Sequence, residues 1–405
     1  MSRACDTFFT RIFGFEEKDY LKSRAELYKR ATFSAPPATS AAQRIASLPA
    51  RAERCHMTID GFGVVDAGTF YEPSVAEMRS ALARKCQEPE AKSKIDAAAA
   101  EFKAAHKGNT VVIANTVGES QEMHSMAKYA NCVFQAASQF NYLEFPSCDT
   151  TPEEGIAQYE YDSTQGPACA IACAVGTAVR NYLLAPLTNL LPEPNAAIPP
   201  ALRGQHAACQ RNGLAELEAA FLKILKANGS DVPAPWTVKG GYIEAAEESL
   251  ADANALLRNE VVRDALRPLL RVGVHENTSV IDGDKVVQSV TQVYCSAVSV
   301  GYSATPANVW KPLASLVLDG LYESTFAVGA YHAAAAIEAG QPPPKLLLTK
   351  VGGGVFGNES LWIKNAIQRA ALKTSAFGVP LEVELVHYGE VETDYEDSVV
   401  AKWSV

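Results

Sequence analysis

The sequence lacks long apolar runs, basic runs and closely paired cysteines, and each absence removes a class of function. No segment approaches the roughly 20 consecutive apolar residues that a membrane-spanning helix requires, and the N-terminal residues contain no apolar signal core. Acidic residues outnumber basic ones by 46 to 36, without any basic cluster, so a nucleic-acid backbone is not an expected partner. We therefore expect a cytoplasmic protein that binds neither a membrane nor nucleic acid.

Metal and disulfide chemistry is likewise not indicated. The nine cysteines include no C-x-x-C pair, and the closest two, Cys169 and Cys173, fall in an alanine-rich helical pattern. This spacing argues against a zinc ribbon and a dense disulfide framework, and His275, His332 and His387 show no ligand spacing. We expect buried free thiols, no metal site and no cofactor.

Short apolar strand patterns alternate with long helical patterns along the chain. We predict strands at 110–115, 133–141, 286–300, 345–349 and 381–386. Helices are predicted at 1–32, from Val75, and at 91–106, 167–182, 214–227, 245–270, 310–339 and 359–372. Residues 34–47, 186–200 and 236–242 are predicted to be irregular. The alternation indicates the α/β class, with a helical N-terminal extension over residues 1–104 and one domain over residues 105–405.

A glycine-rich loop follows the strand predicted at 345–349 and precedes a helix. The loop consists of Gly352, Gly353, Gly354, Val355, Phe356, Gly357 and Asn358. Glycines let backbone N–H groups approach a ligand closely, and a helix N-terminus adds aligned donors and a partial positive charge. The loop therefore predicts a phosphate or pyrophosphate site, the alternative being a tight turn without a ligand. It is not a P-loop, because no Gly-Lys-Ser/Thr follows.

A second group of polar and small residues follows the strand predicted at 133–141. It consists of Gln139, Asn141, Asp162, Thr164, Gln165, Gly166 and Pro167. Thr164 and Pro167 also suit a helix N-terminus, and a helix start can bind an anion through its free N–H groups. Gln139 and Asn141 are either ligand-binding residues or strand-end groups that bond to the backbone.

The order of these segments resembles a macrodomain, the ADP-ribose-binding fold. Asn141 stands where that family has an Asn-ending strand, and residues 164–167 stand where its first glycine loop belongs. Residues 352–357 are similar to the second loop of poly(ADP-ribose) glycohydrolases. More closely, several blocks resemble the macrodomain ADP-ribosyl hydrolases that act on arginine: 134–144, 161–170, 180–182, 294–297, 322–323 and 352–358. The resemblance covers roughly residues 105–395.

The resemblance implies a macrodomain-like three-layer sandwich with a mixed central sheet, in which both loops hold the diphosphate of ADP-ribose. The ligand-binding residues it implies are Gln139, Asn141, residues 164–167 and residues 352–358. The first loop lacks the usual glycine run and the paired glutamates of the glycohydrolase signature. The chain is therefore expected to act on mono-ADP-ribose rather than on the polymer.

The function that follows is removal of mono-ADP-ribose from modified proteins, with arginine among the linkages. Asp162 is the first candidate for the carboxylate that orients the distal ribose or a water, and Glu323 and Glu276 are the others. Phe356 and Trp362 either stack on the ligand or pack in the core. The alternatives are a non-catalytic module that binds ADP-ribose or a related nucleotide, and a hydrolase of a free ADP-ribose ester. A serine-hydrolase mechanism is not expected, because there is no nucleophile elbow.

Overall fold

The structure, a computed structural model, describes residues 7–45, 52–186, 198–230 and 234–405. Within these ranges, nine strands form one mixed sheet and two form a separate hairpin. In chain order the strands are β1 (Ala31–Ser34), β2 (Glu53–Ile59), β3 (Gly63–Tyr71), β4 (Val111–Val117), β5 (Val133–Ala137), β6 (Thr237–Lys239), β7 (Tyr242–Glu244), β8 (Gly273–Asp282), β9 (Lys285–Cys295), β10 (Leu346–Leu348) and β11 (Leu381–His387).

Helices fill most of the chain between the strands. They are α1 (Phe8–Phe13), α2 (Tyr20–Arg30), α3 (Ala41–Arg44), α4 (Val75–Gln87), α5 (Pro89–Ala105), α6 (Ser120–Ser125), α7 (Gln165–Ala172), α8 (Ala174–Ala178), α9 (Ala215–Ala227), α10 (Glu247–Leu256), α11 (Glu260–Leu266), α12 (Ala307–Glu338), α13 (Ser360–Ser375) and α14 (Asp397–Val400). A π-helical turn at Val179–Leu183 continues α8.

The large sheet has the strand order β1-β2-β3-β8-β9-β5-β10-β11-β4. Strands β9, β5, β10, β11 and β4 are parallel to one another, and the remaining pairs are antiparallel. Parallel strands bring their carboxyl ends to the same edge, where open α/β sheets bind ligands. Ala137, Cys295, Leu348 and His387 end four of these strands at that edge.

Alternate residues of the central strands enter different hydrophobic clusters. Leu346 and Leu348 pack in the cluster that contains α12, whereas Leu347 packs with Phe134 and Cys173. Because successive side chains of a strand point to opposite faces, the sheet is covered on both sides. The prediction of an α/β fold with a mixed sheet is therefore confirmed.

The first 104 residues differ from the predicted helical extension. They do contain α1, α2, α4 and α5, but β1, β2 and β3 lie among these helices and extend the central sheet through the β3–β8 pairing. Strand β2 buries Cys55, Met57 and Ile59 at alternate positions, a period-two pattern present in the sequence. Strands β1, β2 and β3 therefore belong to the central sheet and do not form a separate helical extension.

Several element boundaries also differ from the prediction. The strand expected at 133–141 ends at Ala137, and the helix expected at 167–182 is interrupted at Cys173. Residues 236–242 form most of the β6–β7 hairpin rather than an irregular stretch. The loop predicted at 186–200 lies largely outside the described residues. No helix in the described part of the chain combines the length and the apolar character that crossing a bilayer requires.

A buried carboxylate joins three of the long helices. Glu323 of α12 is 3% exposed and accepts hydrogen bonds from Arg79 of α4 and Arg369 of α13. Burial alone would raise the pKa of Glu323, but the hydrogen bond from Arg369 and the charge of Arg79 lower it below its usual value. The carboxylate is therefore charged and fully paired in the folded protein.

Replacing this carboxylate should destabilise the fold. We expect Glu323→Gln to lower the free energy of unfolding by about 1–2 kcal/mol, because two guanidinium groups lose their charged partner. The control is Glu382→Gln on β11, whose carboxylate pairs with Lys345 but is 47% exposed; it should change stability by less than ~0.5 kcal/mol. Urea unfolding measures both, and equal effects would contradict the structural role of Glu323.

Candidate functional site

A cavity of about 400 Å³ opens where β5 and β10 end. Both loops singled out in the sequence line it, together with side chains from the segments after β5, β9 and β11. The predicted residues in its lining are Gln139, Asp162, Thr164, Gln165, Gly166, Pro167, Gly352, Gly353, Gly354, Val355 and Phe356. The cavity is within the usual range for a small-molecule site.

The N-terminus of α7 forms one wall, and it lies directly against the end of β5. The side chain of Gln165 bridges the two: its Oε1 accepts from Ala137 N at 2.8 Å, and its Nε2 donates to Gln135 O at 2.8 Å. A Cβ on Gly166 would lie 2.0 Å from the Ala137 carbonyl oxygen. Glycine is therefore required at 166 by packing, and the Gln165 amide serves the fold.

The loop of residues 351–358 forms the opposite wall, and its shape is fixed from both ends. Asn358 Nδ2 donates to Val298 O at 2.8 Å and to Gly352 O at 3.2 Å. Gly352 has φ +80°, a conformation that side chains rarely adopt. At the start of the loop, Val351 N donates to the hydroxyl of Tyr322 at 3.0 Å. The loop is thus held rigidly, with Asn358 as a brace behind it.

Both walls carry backbone donors without an internal acceptor. In the parts of the chain that the structure describes, no acceptor is found for the N–H groups of Gln165, Gly166, Gly352, Gly354, Val355 and Phe356. Such donors, one set at a helix N-terminus and one in a glycine loop, are suited to anions with several oxygens. The arrangement can hold a phosphate or diphosphate without a basic cluster.

Three aromatic rings stand at one end of the cavity. The Phe356 ring centroid lies 5.5 Å from that of Tyr242 and 5.8 Å from that of Tyr302, and the two tyrosines are 5.7 Å apart. Tyr242 donates to Phe145 O at 2.6 Å, and burial raises its pKa. The sequence pointed to Phe356 alone, because neither tyrosine belongs to a local motif.

Three carboxyl groups line the cavity, those of Asp162, Glu144 and Glu392. The predicted candidate, Asp162, is partly exposed, and its Oδ1 accepts from Thr164 N at 2.9 Å. Glu144, which the sequence did not single out as a site residue, is 2% exposed. Burial raises its pKa to about 7, although the charge of Arg180 opposes this. The site therefore combines a hydrated acid and a buried one.

Arg180 supports Glu144 from behind the cavity. Its Nη2 lies 3.4 Å from each Glu144 oxygen, its Nε donates to Tyr142 O, and its guanidinium lies 3.6 Å from the centre of the Tyr294 ring. Both side chains of the ion pair are at most 1% exposed. Burial acts against the charge of Arg180, but Tyr294 and Glu144 raise its pKa overall.

The other end of the cavity carries charged and aromatic groups from two loops. Lys350 forms an ion pair with Glu392, and its Nζ lies 3.5 Å from His387 Nδ1 and 5.4 Å from the centre of the Tyr395 ring. Lys350, Glu392 and Tyr395 all line the cavity. Sequence reasoning missed them, since Glu392 and Tyr395 lie beyond the last predicted strand.

The predicted ligand-binding residue Asn358, which braces the loop, lies outside the lining, and so do five other residues considered in the sequence. Asn141 is buried and fully bonded, donating to Gln210 and Gly240 and accepting from Leu143 N. Glu276, on β8, accepts from Ser40 and faces His332, and Glu323 is bound by its two arginines. Gly357 and the buried Trp362 support the loop and α13. The chemistry of the cavity therefore involves Asp162 and Glu144 rather than Glu276 or Glu323.

Comparison of the chain with models of protein families, with curated proteins and with solved structures finds no match. Within the described residues, no group of three or more His, Cys, Asp or Glu side chains is placed to hold a metal ion. Functional interpretation therefore depends on the cavity, its donors and its carboxyl groups.

Two of the glycines that line the cavity, Gly166 and Gly354, should respond differently to an added methyl group. Gly166→Ala would force α7 away from the Ala137 carbonyl, and we expect it to lower the free energy of unfolding by about 2 kcal/mol or more. Gly354→Ala is the matched control, because nothing lies within 4 Å of its Cβ position, and its melting temperature should stay at the wild-type value. Thermal unfolding of both variants tests this, and a wild-type-like Gly166→Ala would contradict the packing.

The buried acid predicts a pH dependence of stability. With its pKa raised to about 7, Glu144 binds a proton in the folded state at pH values where the unfolded chain has released it. Its contribution to stability is present at low pH and is lost as pH rises through the folded pKa. Glu144→Gln should make the slope of unfolding free energy against pH less negative between pH 5 and 7, by up to about 1.4 kcal/mol per unit. Urea unfolding at a series of pH values measures both slopes. If the unfolding free energies of wild type and variant run parallel against pH, Glu144 is not the source of the pH dependence.

Proposed function

We propose that the protein is a hydrolase that removes mono-ADP-ribose from modified proteins, on a macrodomain-like three-layer fold. The observation that carries the proposal is the pair of walls, α7 and residues 351–358, which line a single cavity and whose described residues include N–H groups without an internal acceptor. A diphosphate offers oxygens to both walls at once, whereas a single phosphate reaches fewer of these donors.

The order of elements supports the macrodomain resemblance. Strand β5 precedes the first loop and α7, and the long helix α12 is followed by β10 and the second loop. This is the order that the resemblance requires, and β5 and β10 are adjacent and parallel in the sheet. Both loops consequently lie at one sheet edge, which supports a shared ligand.

The remaining groups suit the two ends of ADP-ribose. Lys350 and Glu392 offer polar groups to the edge of a base at one end of the cavity, and Phe356, Tyr242 and Asp162 stand near the position of the distal ribose. Cleavage of its C1″ bond develops positive charge on the sugar, so a nearby carboxylate stabilises the transition state. In this proposal Asp162 orients the ribose or the attacking water, and the linkage is to arginine, as the family resemblance implies.

A second candidate function is a non-catalytic module that binds ADP-ribose. The observation that favours it is the hydrogen bond from Thr164 N to Asp162 Oδ1, which gives this carboxylate a role in shaping the first loop. In the binding-module reading, the same two walls hold the ligand and no bond is broken.

Calorimetry with ADP-ribose tests the ligand. We expect saturable binding, with ribose 5-phosphate at least ~10-fold weaker because it occupies the donors of one wall only. Absence of binding at millimolar ADP-ribose would rule out both the hydrolase and the binding module.

The variant Asp162→Asn separates catalysis from binding, since its amide oxygen still accepts from Thr164 N. We expect release of ADP-ribose from an arginine-linked protein to fall by about 100-fold or more, while the Kd for ADP-ribose changes less than ~3-fold. Asp60→Asn, in the exposed turn between β2 and β3, is the matched control. Retained turnover would exclude Asp162 as the catalytic group. A wild type that binds ADP-ribose but releases none from arginine-, glutamate- or serine-linked proteins would establish the binding module.

A further inference from the structure

A second groove, of about 560 Å³, adjoins the cavity. Tyr242 and Tyr302 line both spaces, so the two rings form a partition between them. On the far side of this partition the groove is formed by the β6–β7 hairpin, the start of α10 and residues 299–304. A ligand that occupied the cavity would have this groove as its neighbour at the aromatic end.

The groove has an acidic character. Glu244 is the sole charged residue in its described lining, which otherwise consists of hydroxyl, thiol, aromatic and aliphatic groups. Glu247 and Glu248 lie exposed in the adjoining first turn of α10. Within the described residues, none of these three carboxylates is in an ion pair, and the nearby Lys239 is paired with Asp149. The groove therefore attracts cations.

We propose that this groove binds the polypeptide that carries the ADP-ribose, through a segment with net positive charge. The inference rests on the proposed function: with the diphosphate on the two loops and the base towards Lys350 and Glu392, the distal ribose lies beside the Tyr242–Tyr302 partition. The modified side chain then continues past these rings into the groove. The partly exposed Ser249 and Ser303 and the exposed Glu244 carboxylate line the groove on that side and can bond to the peptide.

The chemistry of the groove disfavours other occupants. A second nucleotide or phosphate needs cations or clustered N–H donors, and the described lining contains no Lys or Arg. A second copy of this chain carries a net charge of -10, so its approach to an acidic groove is opposed by long-range repulsion. A basic segment is attracted at long range and can form ion pairs with Glu244.

The test uses two mono-ADP-ribosylated peptides of the same length and linkage, one basic and one acidic. Their binding to full-length Asp162→Asn protein, in which turnover is blocked, is followed by fluorescence anisotropy at low salt. We expect the basic peptide to bind about 10-fold more tightly than the acidic one. In the background of Asp162→Asn, Glu244→Lys should remove this preference and leave the Kd for free ADP-ribose within about 2-fold.

The matched control is Glu101→Lys, which makes the same charge change on the exposed face of α5. It should retain the preference for the basic peptide. Equal affinity for the two peptides, or equal effects of Glu244→Lys and Glu101→Lys, would overturn the groove proposal while ADP-ribose binding stands. If the wild-type protein does not bind ADP-ribose, the proposed function and the groove proposal are both wrong.

Discussion

The close contact between the N-terminus of α7 and the end of β5 is the constraint on which the site depends. Gly166 permits it, because any side chain would meet the Ala137 carbonyl, and the Gln165 amide fixes it through hydrogen bonds to two backbone groups of β5. The contact places the free N–H groups of α7 opposite the glycine loop. It also covers Glu144, whose Cγ would lie 3.2 Å from a Cβ on Gly166, and so creates the buried acid below the cavity.

Burial of Glu144 and Arg180 beneath these donors gives the site an unusual charge balance. Arg180 stays charged, while Glu144 with a pKa of about 7 is only partly ionised near neutral pH. The pair therefore places a charged guanidinium behind the cavity, next to a carboxyl group with a raised pKa, in a chain whose net charge is -10. Backbone donors act at short range, so they are suited to holding an anion locally even in an acidic protein.

Sequence reasoning identified what local patterns encode. The helices α4, α9, α12 and α13 and the strands β4, β10 and β11 have clear periodicity, and both loops were recognised from glycine, proline and polar spacing. Strands β2 and β3 were missed, although β2 alternates at period two. Their place in the sheet depends on pairing with β8, some 200 residues later in the chain, which local patterns do not specify.

Some candidate site residues could be identified from local sequence patterns, whereas others are placed only by the tertiary fold. Asp162 and the loop residues lie at the cavity because they are close in sequence to the elements that form it. Glu323 was predicted as a candidate carboxylate, but its two arginines come from α4 and α13, which no local pattern connects. Tyr242 and Tyr302 reach the cavity from a hairpin and from the segment after β9, so only the tertiary fold brings them beside Phe356.

The three consecutive glycines illustrate how structural and functional demands can be separated. A Cβ on Gly352 would lie 2.5 Å from Ala297 Cβ in a strained conformation, and one on Gly353 would lie 3.1 Å from Ile363 Cδ1. Backbone conformation and packing therefore explain why glycine occupies positions 352 and 353. At Gly354 no atom lies within 4 Å of the Cβ position, so packing gives no reason for glycine there. Gly354 lines the cavity, and its N–H group has no acceptor within the described residues. Under the proposed function, the absence of a side chain at 354 would let a ligand approach this donor closely.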